Sequence, residues 1–237
     1  MQIPEYNPRD WRSHPPYSFK AYGSSVKRGP LKKLVPIKQT LSEVTGPLFS
    51  GIKLDAGEDD LTHIAGSAGE ALGERIIVVG RVLDEDDKPV PNTLIEIWQA
   101  NAAGRYCHAV DQHNAPLDPN FTGAGRCVTN DRGEYRYLTI KPGAYPWLNH
   151  PNAWRPAHIH LSLFGPSFVT RLVTQFFFSG DPLIPLDPIL NSVPTKSGRE
   201  RLMSSYAHDV SEPEFALGYR FDIVLRGRKA TPFEGSR

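Results

Sequence analysis

Sulfur is scarce in this chain: two cysteines and two methionines among 237 residues. Cys107 and Cys127 cannot build a disulfide framework, so two buried thiols in a reducing cytosol are expected. Charge of one sign is missing too. Lys and Arg number 27 against 26 Asp and Glu, a formal charge of +1, which offers no broad cationic face to nucleic acid or an anionic membrane. Long apolar runs are absent. The longest stretch without a charged side chain is Pro156 to Thr170, and with two histidines and two prolines it falls short of the roughly 20 apolar residues of a membrane helix. Met1 to Pro15 has no apolar core of a secretion signal, so a cytoplasmic protein is expected. The nucleophile elbow Gly-x-Ser-x-Gly, the phosphate-binding Walker loop, the dinucleotide fingerprint and the zinc motif His-Glu-x-x-His are all absent, which removes the chemistries that each supports.

Proline and glycine are plentiful, at 22 and 20, as expected where many short strands meet in turns. Residues 1–40 carry eight Lys or Arg against Glu5 and Asp10, whereas residues 41–75 carry two basic and seven acidic groups. Six prolines between Pro4 and Pro36 exclude one long helix there. Residues 1–75 therefore read as an extended arm with short helical turns. Trp11, Tyr17, Phe19, Tyr22, Leu31 and Leu34 give it too much apolar surface for a solvated tail, so they are expected to pack on the body or on a partner chain.

Residues 76–237 read as the second region, a β domain. Strands are expected over 76–83, 93–98, 134–140, 156–164, 171–178 and 217–226, from period-2 alternation and β-branched or aromatic content. One helix is expected after Ser197-Gly-Arg-Glu200, read as a capping box followed by Leu202, Met203 and Tyr206. Successive strands with few helices imply an all-β fold, an antiparallel β-sandwich with an extended N-terminal arm.

The sharpest local feature is His158-Ile159-His160. On a strand these imidazoles share one face about 6.6 Å apart, and two at that spacing can converge on a metal. Ile159, Leu161 and Leu163 take the opposite, core-facing side. Taken alone the motif also fits two exposed strand histidines. Arg155 precedes the strand, and Tyr145 and Trp147 lie in the Pro-rich loop Lys141-Pro-Gly-Ala-Tyr-Pro-Trp147, which is suited to holding functional side chains at the end of a sheet. Gly104-Arg105-Tyr106 leaves the strand ending at Trp98, so Tyr106 and Tyr145 can reach the same end of the sheet. A cupin site lacks its glutamate after the His-x-His, and a 2-His-1-carboxylate site lacks a nearby acid, with only Glu134 between Arg132 and Phe178.

With these residues in view, the sequence resembles the intradiol ring-cleavage dioxygenases. The resemblance covers nearly the whole chain, through the runs 79–83, 89–106, 116–121, 139–147 and 154–166, the last opening Trp154-Arg-Pro-Ala-His-Ile-His160. The arm, with His14-Pro-Pro16 and Tyr22, resembles the branch that works as αβ pairs and cleaves 3,4-dihydroxybenzoate. The resemblance implies one non-haem Fe(III) per chain on Tyr106, Tyr145, His158 and His160, with hydroxide completing the set. It implies Arg155 and Gln175 beside the substrate ring, Tyr145 as a displaceable base, and Tyr22, Trp147 and Ile189 lining the pocket, with Tyr22 near the substrate carboxylate. It implies an α chain as partner, a catechol and O2 as substrates, and 3-carboxy-cis,cis-muconate as product. Asp87 departs from the pattern, standing where a turn glycine is expected. Cys107, beside Tyr106, is expected to be a packing residue. A catechol- or hydroxyquinol-cleaving relative and a non-enzymatic transthyretin-like binding sandwich are the alternatives.

Overall fold

A computed structural model describes residues 11–27, 32–33, 53–64, 67–147, 154–165 and 172–234. Eleven strands carry its architecture: β1 Arg75–Leu83, β2 Leu94–Trp98, β3 Ala124–Val128, β4 Glu134–Ile140, β5 Tyr145–Pro146, β6 Trp154–Arg155, β7 His158–Phe164, β8 Leu172–Phe178, β9 Met203–Tyr206, β10 Leu217–Arg220 and β11 Ile223–Val224. Two short helices, α1 Pro188–Asn191 and α2 Lys196–Glu200, and a few 3-10 turns complete the described secondary structure.

Nine strands form one sheet. From β1 it runs through β10, β9, β8, β7 and β2 to β3, while β4 pairs with the other side of β1. The ends of this path, β3 and β4, are consecutive in the chain and joined by the turn at 129–133, so the sheet nearly closes on itself. Its inner face is filled by alternate side chains, among them Ile76, Val78, Ile95, Leu161, Phe176 and Phe221. Each large side chain buried this way contributes roughly 1.5–3 kcal/mol.

The wholly antiparallel sandwich expected from sequence is corrected here: the sheet is mixed. β1 runs parallel to β10 and β11, and β8 runs parallel to β9. Period-2 alternation is common to both ladder types and does not reveal direction. The strand expected over 217–226 is divided at Phe221 and Asp222, but its inward residues Phe221, Ile223 and Leu225 do join the core. At that break Gly80 lets the backbone of Phe221 approach closely, since a Cβ there would overlap the Phe221 carbonyl.

The expected helix is also corrected. Its N-cap is Thr195, whose side chain accepts from Gly198 N, and it ends at Glu200. Met203–Tyr206 is strand β9, because pairing with β8 and β10 outweighs the local helical pattern. Cys127 is buried, but Cys107 is exposed and is not a packing residue. Asp87 adopts φ 62°, the left-handed conformation that favours glycine.

The described part of the arm docks on the body through His14, which is buried against the Phe233 ring at 5.3 Å, and through Ser13, 3.3 Å from Thr195. Phe19 and Tyr22 are partly buried, whereas Tyr17 is exposed. Leu31, Leu34 and the side chain of Trp11 lie outside the described residues.

Candidate metal centre and active site

Strand β7 places His158 and His160 on one face with ring centroids 4.8 Å apart. Cross-strand register sets what surrounds them. His160 pairs with Trp98 of β2 and Gln175 of β8, and its ring stacks on Trp98 at 4.9 Å and 3°. His158 sits opposite Phe177. Ile159, Leu161 and Leu163 point into the core, as their alternation predicts.

A second ladder supplies two more residues. β5 and β6 form a short antiparallel pair in which Tyr145 lies opposite Arg155. Tyr106 is brought in by the loop after β2. Asn101 organises that loop. Its side-chain oxygen accepts from the amides of Ala103 and Arg105, its amide nitrogen donates to Pro116 O, and its carbonyl accepts from Gly143 N. Gly104, at φ 77°, packs against the backbone of Ala144, where a Cβ would overlap the carbonyl oxygen. The loops of Tyr106 and Tyr145 are therefore fixed to one another, and Tyr106 N is held by Asp111 at 2.7 Å.

The four side chains converge. The Tyr106 hydroxyl lies 3.1 Å from His160 Nε2 and 3.3 Å from His158 Nε2, and the Tyr106 ring meets Tyr145 edge-on at 5.2 Å. The Nδ1 atoms face away. That of His158 lies 2.7 Å from Pro156 O, and that of His160 lies 2.6 Å from Glu234 Oε2. Each Nδ1 thus carries a proton toward an acceptor, which leaves both Nε2 atoms as acceptors, that of His160 beside the Tyr106 hydroxyl and that of His158 between this hydroxyl and an Arg155 N–H. Burial first, then the neighbouring Arg155 charge, holds His158 well below the ordinary imidazole pKa, so its ring is neutral. Burial pushes both phenols up, against the opposing Arg155 charge. A strong cation at the point where these atoms meet would reverse that and make phenolates. Two imidazoles and two phenols fit a hard, highly charged metal ion. Among the described residues no group of three or more His, Cys, Asp and Glu could hold a metal, so a metal at this place relies on the tyrosines.

Behind the donors lies a buried ion pair. Arg155 and Asp187 are 2% and 0% exposed and meet at 2.9 Å, and Asp187 also caps α1 through Ile189 N. Arg155 further donates to Gln175 Oε1 and to His158 Nε2, both at 2.9 Å. Burial works to lower the guanidinium pKa, but Asp187 outweighs it and Arg155 stays a cation.

A cleft of about 890 Å3 opens on the donors, with Trp98, Tyr106, Tyr145, Trp147 and His160 in its wall. Tyr22 of the arm meets Trp147 edge-on at 5.0 Å. Gln175 lies in the buried layer with Arg155, and Ile189 is buried within α1. Sequence reasoning missed Glu234, Asp187, Trp98 and Asn101. Only Trp98, the strand-end residue from which the Tyr106 loop departs, carried a local signal.

Two family models match the chain: one described as Dioxygenase, over residues 44–227, and one described as Protocatechuate 3,4-dioxygenase beta subunit N terminal, over residues 7–40. The chain belongs to the intradiol dioxygenase family. Among curated members of that family it is 61% identical over 227 residues to the protocatechuate 3,4-dioxygenase beta chain of Burkholderia cepacia, covering 96% of both chains. It is 30% identical to the alpha chain of the Pseudomonas putida enzyme, over 83% of this chain and 96% of that one. The solved 3-chlorocatechol 1,2-dioxygenase of Rhodococcus opacus 1CP shares the fold, with a TM-score of 0.55 at 22% identity over 76% of this chain and 70% of that chain.

Proposed function

We propose that this chain cleaves the ring of protocatechuate (3,4-dihydroxybenzoate) between its hydroxyl-bearing carbons with O2, giving 3-carboxy-cis,cis-muconate in aromatic catabolism. The observation that carries this is the meeting of the Tyr106 hydroxyl with both histidine Nε2 atoms beside Tyr145, in a chain so similar to a protocatechuate-cleaving β chain. Tyr106, Tyr145, His158 and His160 would hold one non-haem Fe(III), which would supply the electron withdrawal that readies a catechol ring for O2.

The chain's own residues do the rest. Tyr145 is the base: its phenolate oxygen would accept one of the two catechol protons. Arg155, kept cationic by Asp187, stabilises negative charge developing on the ring. Gln175 fixes the guanidinium from the other side. Trp147 walls the cleft, Tyr22 reaches the substrate carboxylate from the arm, and Ile189 closes the pocket behind the ring. Residues 1–75 act as an arm on the partner, an α chain, and 76–237 form the catalytic domain. Among the described residues no helix is long and apolar enough to cross a membrane.

A visible spectrum of the chain purified with its α partner, taken before and after protocatechuate is added without oxygen, tests this. A tyrosinate-to-iron band that shifts with substrate is expected. A protein that stays colourless when supplied with ferric iron would overturn the reading. Faster turnover of catechol than of protocatechuate would overturn the substrate.

A further inference from the structure

The two histidines are backed differently. The Nδ1 of His158 meets a backbone carbonyl, a neutral acceptor supplied by its own strand entry. The Nδ1 of His160 meets a carboxylate, Glu234 Oε2, at 2.6 Å. The two side chains are 10% and 19% exposed, so the pair is largely shielded from water.

Glu234 stands on a segment that is fastened at several points. Thr231 N donates to Val224 O, Thr174 Oγ1 to Pro232 O, and Glu234 N to Val173 O. Phe233, the residue between, packs on His14 of the arm, and its amide points at His14 Nδ1 at 3.4 Å. The carboxylate is thus held on β8, next to β7, by bonds that do not involve the histidine.

From this geometry we infer that Glu234 is a positioning residue for His160. It fixes the ring rotation and the Nδ1–H tautomer, and it strengthens Nε2 as a donor to the metal. The physical ground is general. A carboxylate accepting from the far nitrogen of a ligating imidazole locks the ring and raises its basicity, and losing such a partner costs roughly 10–100-fold in metal affinity. Residues 231–234, docked on the arm through His14, therefore support this site although Glu234 lies 74 residues beyond its histidine.

The inference rests on the iron reading above, and the test separates the two. The iron-loaded enzyme with its α partner is challenged with desferrioxamine, and iron loss is followed together with the tyrosinate band. Glu234→Ala should lose iron about 10- to 100-fold faster than the unmodified enzyme, with a displaced band. Glu234→Gln, which keeps an acceptor but not the charge, should fall between, and Glu234→Asp should recover part of the loss. Tyr135→Phe, which removes a buried hydroxyl bond to Phe221 O far from the donors, should release iron like the unmodified enzyme. Overturning results are an unchanged release rate and band in Glu234→Ala, or equal acceleration in Glu234→Ala and Tyr135→Phe. Unmodified enzyme that never takes up iron would sink the iron reading first, and this inference with it.

Discussion

The histidine wall and the tyrosine wall of the site are built by opposite means. His158 and His160 stand two residues apart on a strand paired on both sides, so the pleat alone sets their common direction. Tyr106 stands on the loop after β2 and Tyr145 on the two-residue strand β5, 39 positions on in the numbering. Their edge-on contact depends on the Gly143 N to Asn101 O bond and on the close approach of Gly104 to Ala144, with Arg105 to Ala115 bracing the Tyr106 loop itself. A strand holds ligands through a ladder in which many bonds share the load. A loop holds them through a few residues, each hard to replace.

The comparison is broken most forcefully from behind the histidine wall. Arg155→Ala removes the donor to His158 Nε2 and leaves Asp187, fully buried, without its ion-pair partner. An uncompensated buried charge of this kind costs about 3–5 kcal/mol, to be read from urea unfolding. Turnover should fall by at least about 100-fold through loss of charge stabilisation. The double variant Arg155→Met with Asp187→Leu should regain much of the stability and none of the turnover. If the double variant is as unstable as Arg155→Ala, the pair is not what the fold is losing.

The tyrosine wall should yield to a single methyl group. Gly104→Ala places a Cβ where the Ala144 carbonyl already lies, at a φ of 77° that alanine resists. About 1–3 kcal/mol is expected from the backbone strain. The more telling readout is a displaced tyrosinate band, because the loop of Tyr106 must part from that of Tyr145. A band unmoved in a folded Gly104→Ala protein would mean that the two loops are not registered through this contact.

What was legible in the sequence follows the same division. Strands β1, β2, β4, β7, β8 and β10, the His-x-His pair and the inward face of β7 were readable because period-2 alternation is local, whereas β3 and the short β5 and β6 gave no such signal. Strand direction was not, since parallel and antiparallel ladders alternate alike, and so β1 beside β10 came as a correction. The Met203–Tyr206 segment was misread as helix because its pairing partners lie elsewhere in the chain. Along the sequence the acid nearest to His158 and His160 on their N-terminal side is Glu134. In space the acids are Asp187, 32 residues from Arg155, and Glu234, 74 residues from His160. The tyrosines were singled out by their loops and by family resemblance, and spacing alone could not have joined them.

The smallest expected effect lies outside both walls. Glu58 accepts from Arg126 Nε at 3.0 Å and again from the Nη2 of the same guanidinium, pinning the residues before Leu61 to β3. The bond from Arg126 holds the Glu58 carboxyl below its ordinary value of 4.5. Its folded-state pKa is therefore depressed, so the stabilisation is present above the ordinary carboxylate pKa and fades as pH falls through the folded one. The pair is partly exposed and screened, with side chains 40% and 23% accessible, so Glu58→Gln should cost under about 1 kcal/mol at neutral pH. That difference should shrink in acid unfolding measurements as the pH drops. Because neither wall touches this pair, iron uptake and the tyrosinate band should stay as they are. A changed band in Glu58→Gln would show that the edge of β3 reaches the donors, and the two-wall description would need a third support.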